Sequence, residues 1–169
     1  MKGKEVKADE ILLSREKRLN YQNSLIKKYN MPIISFTMNI PGPIKTNESI
    51  RKAFNYAKKE LLKSLEKNKM KILELLEFYE NTGDVLFIVV DGETEKLKDI
   101  AIELEEREEI GRLFDMDVID INFKKLSRSS FRKCLICNKQ AQECGRARSH
   151  SVEELQCKVM ELLKNIKIK

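Results

Sequence analysis

The spacing of hydrophobic positions changes several times along this chain, and each change marks a new element. Residues 8–29 read as a helix whose apolar positions Ile11, Leu12, Leu19, Leu25 and Ile26 fall only loosely on one face, with Asn30 as its stop signal. Arg15 and Arg18 lie three apart and Gln22 follows four later, so these three share a second face of that helix. From Pro32 the period becomes two. Ile34, Phe36, Met38 and Ile40 alternate with Ser35, Thr37 and Asn39, which predicts a half-buried strand. It runs into Pro41-Gly42-Pro43, a stiff turn in which Gly42 is free to take a backbone shape other residues resist. Lys45 follows, and then Thr46 or Asn47 as the cap of a helix.

That helix carries Ile50, Ala53, Phe54, Ala57, Leu61 and Leu65 at helical spacing. A further helix is predicted over 69–80, with Leu73, Leu76 and Tyr79 inward and Asn81-Thr82-Gly83 ending it. The continuously apolar VLFIVV at 85–90 predicts a strand buried on both faces, closed by Asp91-Gly92. Leu97, Ile100, Ala101 and Leu104 mark another helix, up to about Glu109. In GRLFDMDVIDINF, residues 111–123, Val118 and Ile119 predict a strand that turns Asp115, Asp117, Ile119 and Ile121 to one side and Asp120 to the other. Ser151 and Glu154 fit a capping box for a last helix with Leu155, Val159, Leu162, Leu163 and Ile166 inward and Cys157 in its body. The expected fold is α+β (or α/β): a small mixed sheet of at least three strands flanked by helices, in a single domain over 1–169, with 1–9 a flexible N-terminus.

Composition narrows the setting. No apolar run approaches the roughly 20 residues a membrane span needs, and the start, MKGKEVKADE, lacks the apolar stretch of a secretory signal. A cytoplasmic protein with reduced thiols or metal ligands is therefore expected. The formal charge of +6 is unevenly spread. Between Lys124 and Arg148 eight Lys or Arg face one acid, Glu143, which leaves the rest of the chain at about −1. A positive charge concentrated in one segment suggests an anionic partner, either polyphosphate or nucleic acid.

The overlapping stretch Arg132–His150 holds three of the four cysteines and the only histidine, spaced Cys134-x2-Cys137-x6-Cys144-x5-His150. A two-residue gap lets two thiolates grip one ion, and Cys144 and His150 would close a tetrahedral zinc set. The alternative makes Cys134 and Cys137 small core residues beside a loop that places Arg146 and Arg148. Asp115 and Asp117, at i and i+2 on a strand, suit one or two Mg²⁺ ions, whereas the plainer reading is polar positions on an edge strand. Lys45 after the Gly42 turn suggests a phosphate cradle, against an ordinary strand-to-helix turn.

Four segments together resemble one family: SREKRLNYQ at 14–22, SFTMNIPGPIK at 35–45, GRLFDMDVID at 111–120 and RKCLICNKQAQECGRARSHS at 132–151. The chain resembles the citrate lyase holo-acyl-carrier-protein synthases, also called apo-citrate lyase phosphoribosyl-dephospho-CoA transferases (the CitX family), over roughly 10–160. The resemblance implies a nucleotidyltransferase-type enzyme that moves triphosphoribosyl-dephospho-CoA onto a serine of the acyl-carrier subunit of citrate lyase, leaving a phosphodiester and releasing pyrophosphate. On that expectation Asp115 and Asp117 hold Mg²⁺. Gly42, Lys45, Arg112, Arg146 and Arg148 neutralise phosphate, and Arg15, Arg18 and Gln22 bind the donor or face the carrier. Asp117 or His150 accepts the serine proton. Neither a membrane nor nucleic acid is an expected partner. Two rival readings are a small nucleic-acid-binding module with a zinc knuckle and a non-catalytic carrier-protein assembly factor. The first leaves the paired carboxylates unexplained and has only Phe123 and Phe131 nearby for stacking.

Overall fold

A computed structural model describes residues 1–165. Five helices and four strands follow in the order α1 (Ala8–Tyr29), β1 (Ile33–Met38), α2 (Glu48–Lys67), β2 (Lys71–Phe78), β3 (Val85–Asp91), α3 (Thr94–Arg107), β4 (Phe114–Ile119), α4 (Ala141–Ala147) and α5 (Val152–Lys164). A 3-10 turn, Glu109–Leu113, links α3 to β4. The strands form one sheet in the order β2-β3-β1-β4, and every pairing in it is antiparallel. The α+β alternative is thus the one realised, with an antiparallel sheet where a mixed one was expected.

The helix ends follow the local chemistry. Asn30 takes the left-handed conformation (φ 50°) and its N–H closes α1 on Ile26 O. Asn47, rather than Thr46, caps α2, its Oδ1 accepting from Ile50 N–H at 2.9 Å. The capping box of Ser151 and Glu154 opens α5. Ile166 lies outside the described residues. Ahead of α1, in the stretch expected to be loose, Val6 is buried and its N–H donates to Pro43 O at 3.0 Å.

Alternation in the strands sends side chains to two faces. On one, Ile34, Phe36, Leu86, Ile88, Met116 and Val118 meet the apolar stripes of α2, α3 and α5. Phe36 stacks on Phe54 of α2 with ring centroids 4.8 Å apart, an arrangement that contributes about 1 kcal/mol beyond burial. On the other face, Ile33, Val85, Phe87, Val89 and Ile119 are covered by Leu25 and Ile26 in the C-terminal half of α1. The N-terminal half of that helix therefore lies over the polar positions of the same face.

The helix predicted over 69–80 is instead the edge strand β2. Its register with β3 slips between Ile72 and Glu74, so Leu73 is a bulged residue. The extra residue turns an alternating pattern into Ile72, Leu73, Leu75, Leu76, whose three- and four-residue gaps imitate a helix.

The outer edge of β4 is closed by α3. Glu105, 6% exposed, accepts the Met116 N–H at 2.7 Å, and Lys98 Nζ donates to Met116 O at 3.5 Å. Burial pushes the Glu105 carboxyl up and the Lys98 ammonium down, and Arg132 and Arg128 pull Glu105 back toward its ionised form. Arg128 donates to Glu105 at 3.0 Å and also binds Glu106. Replacing Glu105 by Ala leaves the Met116 amide and one face of Arg128 unpaired. A loss of about 2–4 kcal/mol is expected, read as a lower urea midpoint at unchanged m-value.

Gly111 admits the tight link between α3 and β4. A Cβ there would lie 2.5 Å from Leu104 O and 2.7 Å from Glu105 O. The turn thereby aims β4 along the C-terminal end of α3.

Candidate active site and thiol cluster

The polar face is built from three elements. In β4, Asp115 and Asp117 point to the α1 side, because Phe114, Met116 and Val118 are committed to the core. Their partners across β1 are Thr37 and Ser35. Ser35 is buried and accepts from Gln22 Nε2 at 2.9 Å. One turn earlier on α1 stands Arg18, whose guanidinium is lowered by burial and by Arg15 and raised again by Asp115 and Asp117. Arg15, Arg18 and Gln22 thus do share a face, and that face is turned toward the carboxylate pair.

Each carboxylate also has a cation from the segment that follows β4. Arg132 Nη1 donates to Asp115 Oδ1 at 3.0 Å, and Lys125 Nζ to Asp117 Oδ1 at 2.6 Å. Arg132 also binds Phe114 O. A cavity of about 500 Å³ opens here, lined by Asp115, Asp117, Lys125, Arg128, Arg132 and Lys98 among others. On the α1 side, among the described residues nothing accepts from the buried Arg18 Nε. Arg128 Nε shares this condition, although its other nitrogens hold Glu105 and Glu106.

Lys45 belongs to the same side. It is half-buried, its Nζ donates to Ile40 O at 2.7 Å, and burial and then the Arg15 charge lower its ammonium. The loop carrying it is fastened by Asp84. This buried carboxylate takes two bonds from Arg51 at 2.9 Å and one from the Thr46 hydroxyl at 3.3 Å. Gly42 has the expected positive φ of 84°, but the space its missing Cβ leaves is filled by Gln156 and Val152 of α5. That turn packs against α5, and Lys45 follows it on the side of the carboxylate pair.

The remaining arginines divide. Arg112 binds Cys134 O and Asn138 Oδ1, which makes it a brace for the cysteine loop. Arg146 and Arg148 are exposed on and just after α4, and Arg148 lines a second cavity of about 540 Å³ with Arg132, Cys134, Cys144 and His150. The two cavities share only Arg132. His150 is therefore grouped with the thiols, away from the carboxylate pair.

Cys134, Cys137, Cys144 and His150 come together as their spacing predicts. Their ligand atoms all lie within 4.8 Å of one another, with Cys137 Sγ 3.4 Å from Cys144 Sγ and 3.2 Å from His150 Nε2. The Lys139 N–H, His150 and Cys144 lower the Cys137 thiol to about 6. The bond to Cys137, with burial, raises the Cys144 thiol to about 11. Cys157 stands apart, exposed on α5.

Residues 6–166 match the family model described as apo-citrate lyase phosphoribosyl-dephospho-CoA transferase. The chain belongs to this family. A Vibrio cholerae serotype O1 protein named a probable apo-citrate lyase phosphoribosyl-dephospho-CoA transferase is 32% identical, covering 93% of this chain and 91% of that relative. The transferase of the same name from Citrobacter koseri is 33% identical, with 94% and 88% covered. A probable one from Streptococcus pyogenes serotype M5 is 37% identical, with 95% and 87% covered.

In this member of the transferase family, sequence reasoning left Ser35, Lys98, Glu105, Lys125 and Arg132 without a role at the site. Ser35 and Thr37 carried a signal, being the polar half of an alternating strand. Lys125 and Arg132 were visible only as part of a charge excess. Together with Arg128 they are paired to acids of the fold, so three of the eight cations between Lys124 and Arg148 are neutralised within the chain. No helix among the described residues is long and apolar enough to cross a membrane.

Proposed function

We propose that this chain is the transferase for which its family is named. It moves the triphosphoribosyl-dephospho-CoA group onto a serine of the acyl-carrier subunit of citrate lyase. The observation that carries the residue assignment is the meeting of Asp115 and Asp117 with Arg18, Gln22 and Ser35 on one sheet face. The serine oxygen attacks the phosphorus next to the ribose, a P–O bond forms as the bond to the outer phosphates breaks, and pyrophosphate leaves. The serine proton goes to a carboxylate, and Asp117 is the assigned acceptor, since His150 Nε2 is engaged with Cys137. Arg15, Arg18 and Lys45 bind the triphosphate, and Arg132 and Lys125 orient the carboxylates.

The carboxylate pair also fits Mg²⁺. This ion is usually held by one or two carboxylates together with substrate phosphates. Here both paired cations use Oδ1, leaving Oδ2 of Asp115 and Asp117 as donors beside the cavity. When bound, the ion supplies charge neutralisation for the phosphates. A cytoplasmic setting accords with four free cysteines.

The test is a mass spectrum of the apo acyl-carrier subunit after incubation with this protein, Mg²⁺ and the donor. A gain matching the prosthetic group, with pyrophosphate released, is the expected result. An unmodified carrier, with folded enzyme and verified donor, would overturn the proposal and leave the assembly-factor reading.

A further inference from the structure

The geometry points to a structural zinc site at Cys134, Cys137, Cys144 and His150, which locks the segment after β4 against the carboxylate pair. A zinc ion bound through thiolates at about 2.3 Å places neighbouring ligand atoms about 3.8 Å apart in a tetrahedron. The four donors here already lie within 4.8 Å of one another, the closer pairs at 3.2 and 3.4 Å. Those two contacts are close without a covalent link, and all three thiols are free. A disulfide between Cys137 and Cys144 would need an S–S distance of about 2.05 Å.

The local backbone is built for such a set. The Cys134 N–H donates to Lys139 O at 2.7 Å, which folds residues 134–139 into a tight knuckle, with Asn138 at φ 59°. Ile136 N–H points at Cys134 Sγ from 3.5 Å, which fixes the direction of that sulfur within the knuckle. Cys144 stands in the first turn of α4, held by its N–H to Gln140 O, and Ser149 N–H returns to Cys144 O so that His150 swings back to the thiols. Such a short helix between irregular loops has little apolar surface of its own. A metal crosslink supplies the stability that a small core does not.

The consequence reaches the polar face. The Arg132 carbonyl accepts the Ala141 N–H at 2.8 Å, so the arginine that holds Asp115 is hydrogen-bonded to the start of α4. Arg112 binds the other side of the knuckle at Cys134 O. Zinc thus has a positioning role that reaches Asp115 through α4 and Arg132.

The experiment is metal analysis of protein made in zinc-supplemented medium and purified under reducing conditions without chelator. One zinc per chain is expected. It should be released into a chromogenic chelator when the thiols of the native chain are modified. Cys137→Ser and Cys144→Ser should lose zinc, and Cys157→Ser should keep it. Cobalt(II) added to the metal-free chain should give the visible ligand-field bands of a tetrahedral thiolate site. Because release is read on the native chain, poor folding of the serine variants does not decide the outcome. Zinc well below one per chain together with no cobalt bands would overturn the site, as would a Cys137–Cys144 disulfide in reduced, zinc-supplied protein. Neither readout depends on transferase turnover, so this proposal and the proposed function can each fail alone.

Discussion

Asp117→Asn is expected to lower the rate of prosthetic-group transfer by about 10³-fold or more while the protein keeps its melting temperature. The exchange preserves shape but removes the charge at the position assigned to the ion and the serine proton. A thousandfold loss corresponds to about 4 kcal/mol of transition-state stabilisation. The fold has little at stake, because the Asp117 side chain is 26% exposed and its partner Lys125 is 59% exposed, and ion pairs of that kind contribute about 0–1 kcal/mol. Single-turnover kinetics and a thermal melt on one preparation check both halves. Turnover within tenfold of the parent would remove Asp117 from the chemistry.

Arg18→Met should separate stability from activity in the opposite sense. Arg18 is half-buried with an unpartnered Nε, a condition that costs free energy unless a ligand relieves it. Methionine keeps much of the aliphatic bulk and removes that burden, so the melting temperature should hold or rise. The KM for the donor should increase and kcat/KM should fall about 10²-fold, roughly 3 kcal/mol. Asp115 and Asp117 keep Arg132 and Lys125, so the carboxylates are not left without partners. A lower melting temperature with an unchanged KM would make Arg18 a structural residue.

Much of this arrangement was legible because it rests on local rules. Alternation placed Asp115 and Asp117 on one side of β4, helical spacing joined Arg15, Arg18 and Gln22, and ligand spacing drew Cys134, Cys137, Cys144 and His150 together. What a local pattern does not encode is which face meets which. Nothing in the sequence ties Arg132 to Asp115 across 17 residues, or Glu105 to the Met116 amide, since both contacts arise when α3 and the loop pack on one edge. Gly42 was legible as a special backbone position, but its packing against Gln156 was not, because that neighbour is more than a hundred residues away. In β2 the error came from within the pattern itself, a bulge that counterfeits helical periodicity.

The sealed edge of β4 limits how a partner protein can reach Asp117. An extended peptide that joins a sheet needs open backbone donors and acceptors along the edge. At Met116 both groups are taken, by Glu105 and Lys98, and Val118 O is taken by Leu126 N–H. Strand addition is closed to an acceptor protein at this edge. It must instead present its hydroxyl from a loop or a helix end, so side-chain complementarity rather than main-chain pairing decides which acceptors are modified.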